Sequence, residues 1–389
     1  MSALIVGYAR TPFARFNGAF ATVPGTALGA HAAAAAMERA GLDASEVQRV
    51  FAGQVLQGGA GQNPARQSAI GAGIGYDVPA MTLNAVCLSG TEAVVAGERM
   101  ISAGEVDVVV AIGQESMSLA PHVQRARAGT KYGAIELIDT LEYDGLTDAF
   151  EKRSMGSSTE DGNATHGITR AAQDEFSARS HRLAAAAADF HAGEIAPFTI
   201  SSRRGDVVVS ADDGIRADTT AESLSKLRPS FSKDGTITAG NASQITDGAA
   251  AIVLVSKAAA ERLGLTPIAE IVSHALVAGP DVSLHEQPAN AILAALEGTG
   301  ISAADLKAVE INEAFAAVGV QSVAKLGIDP EIVNTKGGAI ALGHPIGASG
   351  ARIIGTLARQ LAELGSGSVG ATGICGGGGQ GSAVVLRAI

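Results

Sequence analysis

Four stretches of the sequence carry side chains able to do covalent chemistry. Cys87 sits in Asn84-Ala-Val-Cys-Leu-Ser-Gly90, where a predicted strand turns into a helix. A thiol at such a turn faces the positive end of the helix dipole, which favours the thiolate and hence a nucleophile. A small cysteine packed in a core fits the same pattern. His344 lies in Gly337-Gly-Ala-Ile-Ala-Leu-Gly-His-Pro-Ile-Gly-Ala-Ser-Gly350, where glycines admit close backbone approach and Pro345 stiffens the turn. An imidazole there suits a general base near neutral pH, or it simply satisfies the turn's hydrogen bonds. Cys375 opens a run of four glycines in Gly373-Ile-Cys-Gly-Gly-Gly-Gly-Gln-Gly381. Their N–H groups suit an oxyanion hole or an anion nest; a flexible surface loop is the alternative. Asn312, in Glu310-Ile-Asn-Glu-Ala-Phe-Ala316, ends a predicted strand and either orients a water or carbonyl or caps a helix.

Two cysteines and one histidine at these spacings match no metal pattern, so no metal is expected. The glycine-rich segments fit neither a P-loop nor a dinucleotide fingerprint.

The elements that must position these groups repeat along the chain. Ala27 to Ala40 reads as an alanine-rich helix, followed by Gly41-Leu-Asp-Ala-Ser-Glu-Val and a strand from Arg49 to Ala52. Ala289 to Leu296 reads as a second helix, followed by Gly300-Ile-Ser-Ala-Ala-Asp-Leu and a strand from Ala308 to Ile311. Cys87-Leu-Ser-Gly90 opens a helix before a strand from Val106 to Ile112, and Ala348-Ser-Gly350 opens one before a strand from Ser368 to Thr372. Gly41 and Gly300 are 259 positions apart, and both Gly90 to Gly113 and Gly350 to Gly373 span 23. Two matched pairs at nearly one offset imply a duplicated α/β unit with a mixed, largely parallel sheet. The segment from about residue 118 to 242 has no counterpart in the repeat, is richer in charge and turns, and reads as an inserted lid or loop domain; Asp139 to Phe150 and Asp212 to Ser232 look irregular. Gly240 to Gly248 reads as a polar turn, and a strand from Ala249 to Val255 then completes the first half.

Composition narrows the function class. The 389 residues exceed one ordinary domain, and 47% hydrophobic against 17% charged residues leaves ample core material. Aromatic residues are 4%, tryptophan is absent and the net charge is −11, which argues against nucleic-acid partners. An anionic ligand then needs a local basic patch. Two cysteines make no disulfide framework, no apolar run approaches a membrane span, and no signal or lipidation motif is evident; a soluble cytoplasmic protein with no membrane partner is expected.

Together these segments resemble the thiolases over essentially the whole chain. Asn84–Gly90, Asn312–Ala316, Gly343–Gly350 and Cys375–Gly381 match that family's four active-site motifs in order. The resemblance implies a five-layered α-β-α-β-α fold of two duplicated mixed-sheet halves with an inserted loop domain. On that scheme residues 1–117 with 245–267 form the first half, 118–244 the loop domain and 268–389 the second half. It implies Cys87 as the acyl-carrying nucleophile, His344 as the base that activates it, and Cys375 as the second acid/base. Asn312 would fix a water on the enolate oxygen, and the N–H groups of Cys87 and Gly377 would hold the thioester oxyanion.

Within the family the chain looks most like the short-chain, tetrameric acetyl-CoA acetyltransferases, because Ala120-Pro-His122 and Asp144-Gly-Leu-Thr-Asp-Ala-Phe150 match their loop domain. Carried over by position, Leu146, Met155, Arg216, Ser223, Phe231, Ser243 and Phe315 would line the CoA and pantetheine tunnel, with Arg216, Lys226 and Arg228 as the basic patch. The partners implied are acetyl-CoA, acetoacetyl-CoA and CoA, with no permanently bound cofactor, in a homotetramer built as a dimer of dimers. Ser154 and Gln244 depart from the pattern of the biosynthetic enzymes, where a histidine and a glycine are usual, and bear on acyl-chain preference. The rival readings are a broader-chain 3-ketoacyl-CoA thiolase of fatty-acid degradation, a decarboxylating condensing enzyme, and a non-catalytic thiolase-like lipid-binding protein.

Overall fold

The computed structural model describes residues 2–129, 131–203 and 205–389. The first half runs β1 (Leu4–Arg10), α1 (Gly25–Ala40), β2 (Arg49–Gly53), α2 (Pro64–Gly71), β3 (Ala80–Leu83), α3 (Ser89–Ser102) and β4 (Val108–Glu115). After an inserted segment, including α4 (Met155–Thr165) and α5 (Arg170–Ala186), the chain returns through β5 (Thr246–Val255). The second half runs β6 (Ala269–Ala278), α6 (Gln287–Leu296), β7 (Ala308–Ile311), α7 (Ala316–Leu326), α8 (Ser349–Leu364), β8 (Val369–Gly376) and β9 (Gln380–Ala388). The helices and strands expected from the repeat are all present, with ends moved by a few residues.

The strands join in the order β7-β8-β9-β6-β1-β5-β4-β2-β3. Reading outward from the central β6–β1 pair, each half repeats one scheme of two antiparallel neighbours and then parallel ones. The bond across the middle is short, Leu4 to Glu270 and Ile5 to Ala269. Near-continuous apolar runs such as Val108 to Ile112 follow from burial on both faces of each half-sheet.

Three cores fill the gaps between layers. One packs α1 (Ala32, Ala33, Ala36) and α2 (Ala65, Ala69) against the first half-sheet. One packs α6 (Ala291, Ile292, Ala295) against the second half-sheet. The central one buries α3 (Val94, Val95) and α8 (Ile353, Ile354, Leu357) between strands of both halves, giving five layers. Packing between the two half-sheets explains why α3 and α8 are more buried than a surface helix, down to charged side chains such as Glu98 and Arg352.

The inserted segment combines helices with long irregular stretches and two short ribbons, His122–Val123 with Ile138–Asp139 and Phe198–Ile200 with Val207–Val209. Asp139 to Phe150 holds a wide helical turn over Leu141–Leu146, and Asp212 to Ser232 holds one short helix, Ala221–Ser225. Among the described residues no helix is long and apolar enough to cross a membrane.

Candidate active site

The duplication brings two helix N-termini together in the middle layer. A side chain on Gly90 would come within 2.8 Å of the backbone N of Ala351, and one on Gly350 within 2.3 Å of that of Thr91. Only glycine permits this contact, so the repeated Ser-Gly is the crossing point of α3 and α8. The loop entering α3 carries Cys87 and the loop entering α8 carries His344. Both are therefore delivered to one place by the same packing.

The Cys87 loop is a tight elbow. Val86, immediately before the cysteine, has φ of 52°, an unfavourable conformation for a β-branched residue. Holding it costs about 1–3 kcal/mol, which the surroundings must supply. Asn84 Oδ1 accepts from Val86 N–H at 3.0 Å, and Ser89 Oγ donates to the Val86 carbonyl at 2.6 Å while accepting from Ala85 N–H at 2.9 Å. The two clamps hold the elbow that carries the thiol.

Cys87, His344, Cys375, Gly377, Leu146, Met155, Ser243 and Phe315 line one small cavity of about 70 Å³. Cys375 is buried and Cys87 keeps partial accessibility. The backbone N–H groups of Cys87 and Gly377 both donate to the Cys87 sulfur. Even so, burial pushes the Cys87 thiol up to about 12, and the nearby Glu115 carboxylate adds to the rise. The helix dipole therefore does not produce a free thiolate as its position suggested, because desolvation among Val86, Leu146 and Ile346 outweighs it. Cys375 is raised too, by burial and by the neighbouring Cys87.

His344 is 6% exposed, and burial with the Arg352 charge lowers its pKa to about 3, so the ring is neutral. Its Nδ1 lies 2.6 Å from Ser349 Oγ and 3.5 Å from Asn312 Nδ2. Ser349 has a single hydrogen, and its hydroxyl also meets the Pro345 carbonyl at 3.1 Å. With that hydrogen on the carbonyl, Nδ1–H donates to Ser349 and Nε2 is left as the basic nitrogen; in this tautomer Asn312 Nδ2, itself a donor, makes no hydrogen bond to Nδ1. His344 Nε2 and Asn312 Oδ1 are buried and make no hydrogen bond within the described protein. Both are therefore available to a reacting group. Glu115 ties the segment after β2 to the His344 loop: its carboxylate accepts from Val55, Leu56 and Gly347 N–H at 3.0, 3.2 and 3.0 Å. Burial holds it near 7.

The small cavity opens toward two larger ones. One of about 480 Å³ shares Leu146, Met155, Ser243, Phe315 and His344 and adds Phe231, Ser154 and Gln244. The other, of about 790 Å³, includes Tyr143, Asp144, Phe150, Met155 and Gly377. Asn312 lies behind His344, fully buried. Arg216 and Ser223 are on none of these walls. Both are exposed, and the Ser223 hydroxyl is engaged in capping the helix Ala221–Ser225. Lys226 is exposed and paired with Glu222 at 3.0 Å, and Arg228 is exposed.

Ser349, Glu115 and the Val86 strain are not singled out by sequence patterning. Ser349 was visible only as half of the repeated Ser-Gly; the other two depend on contacts across 60 to 232 positions or on a dihedral.

Comparison with known proteins agrees across the chain. Residues 3–258 match the thiolase N-terminal domain and residues 265–388 the thiolase C-terminal domain. A probable acetyl-CoA acetyltransferase of Mycolicibacterium smegmatis is 54% identical over 99% of this chain and 100% of its own. An acetyl-CoA acetyltransferase of Shinella zoogloeoides is 45% identical over 99% of both chains. The crystal structure of the Bacillus anthracis acetyl-CoA acetyltransferase superposes with a TM-score of 0.95 at 37% identity, covering 100% of this chain and 99% of that one. With both halves matched end to end around the cavity that holds Cys87, His344 and Cys375, the chain belongs to the thiolase family.

Proposed function

We propose that the protein is an acetyl-CoA C-acetyltransferase, joining two acetyl-CoA into acetoacetyl-CoA and CoA, or running the thiolysis in reverse. The observation that carries this reading is the convergence of two thiols, one neutral imidazole and two N–H donors on one small cavity. Relatives named for that activity over their full length support it.

His344 Nε2 takes the proton of Cys87, and the thiolate attacks the thioester carbonyl of acetyl-CoA. Burial disfavours both charges separately, so thiolate and imidazolium form together, each stabilising the other. The N–H groups that meet the resting sulfur, those of Cys87 and Gly377, hold the tetrahedral oxyanion. Collapse breaks the C–S bond to CoA, whose thiolate takes the proton of Cys375. Cys375 thiolate, desolvated and strongly basic, then removes an α-proton from a second acetyl-CoA. The enolate oxygen is held by the protonated Nε2 of His344 and by a water on Asn312. The enolate carbon attacks the acetyl-Cys87 carbonyl, the C–S bond to Cys87 breaks, and the departing thiolate recovers its proton from His344.

Leu146, Met155, Phe231, Ser243 and Phe315 would guide the pantetheine arm, and Arg216, Ser223, Lys226 and Arg228 the polar end of CoA at the exposed surface. We place the enzyme in the cytoplasm, in fatty-acid metabolism, as a homotetramer formed from two dimers. Tyr132, Ile135 and Leu137, exposed by 99%, 60% and 58%, give the inserted segment apolar surface for such contacts. Thiolysis rates on acetoacetyl-CoA and on longer 3-ketoacyl-CoAs test the substrate range. Acetoacetyl-CoA is expected to turn over fastest; a faster rate on C8 or longer chains would favour the broader-chain reading.

A further inference from the structure

The turn that leads into His344 is held by two side chains from outside it. At its start, Glu313 accepts from Ile340 N–H at 3.0 Å, from Ser180 Oγ at 2.6 Å and from Asn334 Nδ2 at 2.8 Å. On the same turn acts Gln244, at the point where the inserted segment rejoins β5. Its backbone carbonyl accepts from His344 N–H at 3.1 Å. Its side-chain amide donates to the carbonyls of Gly214 at 3.1 Å, Ile340 at 3.0 Å and Ala341 at 3.4 Å. The two amide hydrogens thus serve three acceptors, one in the inserted segment and two in the single-turn helix Ala339–Leu342. That helix has too few residues to hold its own shape, and Gly343 after it has φ of 105° with Thr246 packed against it. Gln244 also borders the cavity of about 480 Å³ with His344.

We propose that Gln244 is a positioning residue for His344, tying the inserted segment to the loop that sets the base. The inference rests on the proposed role of His344 as the base for Cys87. Gln244 touches no reacting atom. It fixes the carbonyls of Ile340 and Ala341, and with its own carbonyl the main chain of His344, so that Nε2 stays in reach of the thiol. A small displacement of a base costs far more rate than binding.

The test compares Gln244→Met, which keeps length but donates nothing, with Gln244→Glu. In wild type, acetylation of Cys87 by acetyl-CoA is followed by rapid quench and mass spectrometry. Gln244→Met is expected to slow that step by roughly 10–100-fold with KM for acetyl-CoA changed less than about threefold. Gln244→Glu, with a carboxylate aimed at three carbonyls, should lose more rate relative to wild type as the pH rises and recover part of it as the carboxyl protonates. Equal acetylation rates in wild type and both variants, with a flat ratio against pH, would overturn the proposal, as would a KM rise with kcat unchanged. A wild type that never acetylates Cys87 would instead sink the reading of the site, and this inference with it.

Discussion

The two halves use the same strand-loop-helix position in different ways. In the first, Cys87 stands two residues before α3, on an elbow strained at Val86 and locked by Asn84 and Ser89. In the second, His344 stands five residues before α8, on a longer loop held by Ser349, Gln244 and Glu313. The helices cross at Gly90 and Gly350, so the backbone there is fixed, and only the loops differ. Duplication thus supplies a rigid, symmetric crossing. Divergence of the loop lengths lets one half present a nucleophile and the other reach across with a base.

The largest expected effect separates the two thiols. Cys375→Ser should lower carbon–carbon bond formation by about 10³-fold or more, since a hydroxyl is a far poorer carbon base in a desolvated site, while Cys87 still becomes acetylated. If condensation persists at a comparable rate, the α-proton goes elsewhere. The second effect concerns the second half alone. Arg352, fully buried on α8, pairs with Glu310 at 3.0 Å, and Gln360 donates to the same carboxylate at 2.7 Å. Arg352→Met strands a buried carboxyl and should cost roughly 3–5 kcal/mol in denaturant unfolding. A loss under about 1 kcal/mol would show that Glu310 is satisfied as a neutral acid. The smallest effect is an absence of titration. Burial lowers the His344 pKa, so the neutral form persists above about 3 and protonation is confined to lower pH. Ring nitrogen shifts of labelled His344 should stay constant from pH 8 to pH 5; a midpoint near the ordinary value of about 6.5 would contradict the neutral base.

Much of this was legible in the sequence because it is periodic or local. The Ala-rich helix before Gly41 and the strands at Arg49 and Ala308 follow from spacing, and the Ser-Gly pair marked both helix starts. The order of the motifs pointed to one site, and Cys87, His344 and Cys375 do line one cavity, with Asn312 buried beside His344. What escaped depends on depth and on distant contacts. The Cys87 position suggested an acidified thiol, but burial of the sulfur pushes the other way, and no pattern of neighbours reports desolvation. Ser349 is adjacent in sequence, yet its bond to Nδ1 needs the fold of the turn. Gln244 shares its amide with carbonyls 30, 96 and 97 positions away. Arg216 and Ser223 sit in an exposed part of the insert, where packing constrains side chains least.

The proposed reaction begins with Cys87 becoming acylated, with His344 as its base. Wild-type protein, His344→Asn and Cys375→Ser are each mixed with acetyl-CoA, quenched, digested and analysed by mass spectrometry. The expected result is an acetyl group on the Cys87 peptide of wild type and of Cys375→Ser, with its formation in His344→Asn slowed by about 10³-fold. Unmodified Cys87 in folded, acetyl-CoA-saturated wild type, or undiminished acetylation without the imidazole, would contradict it.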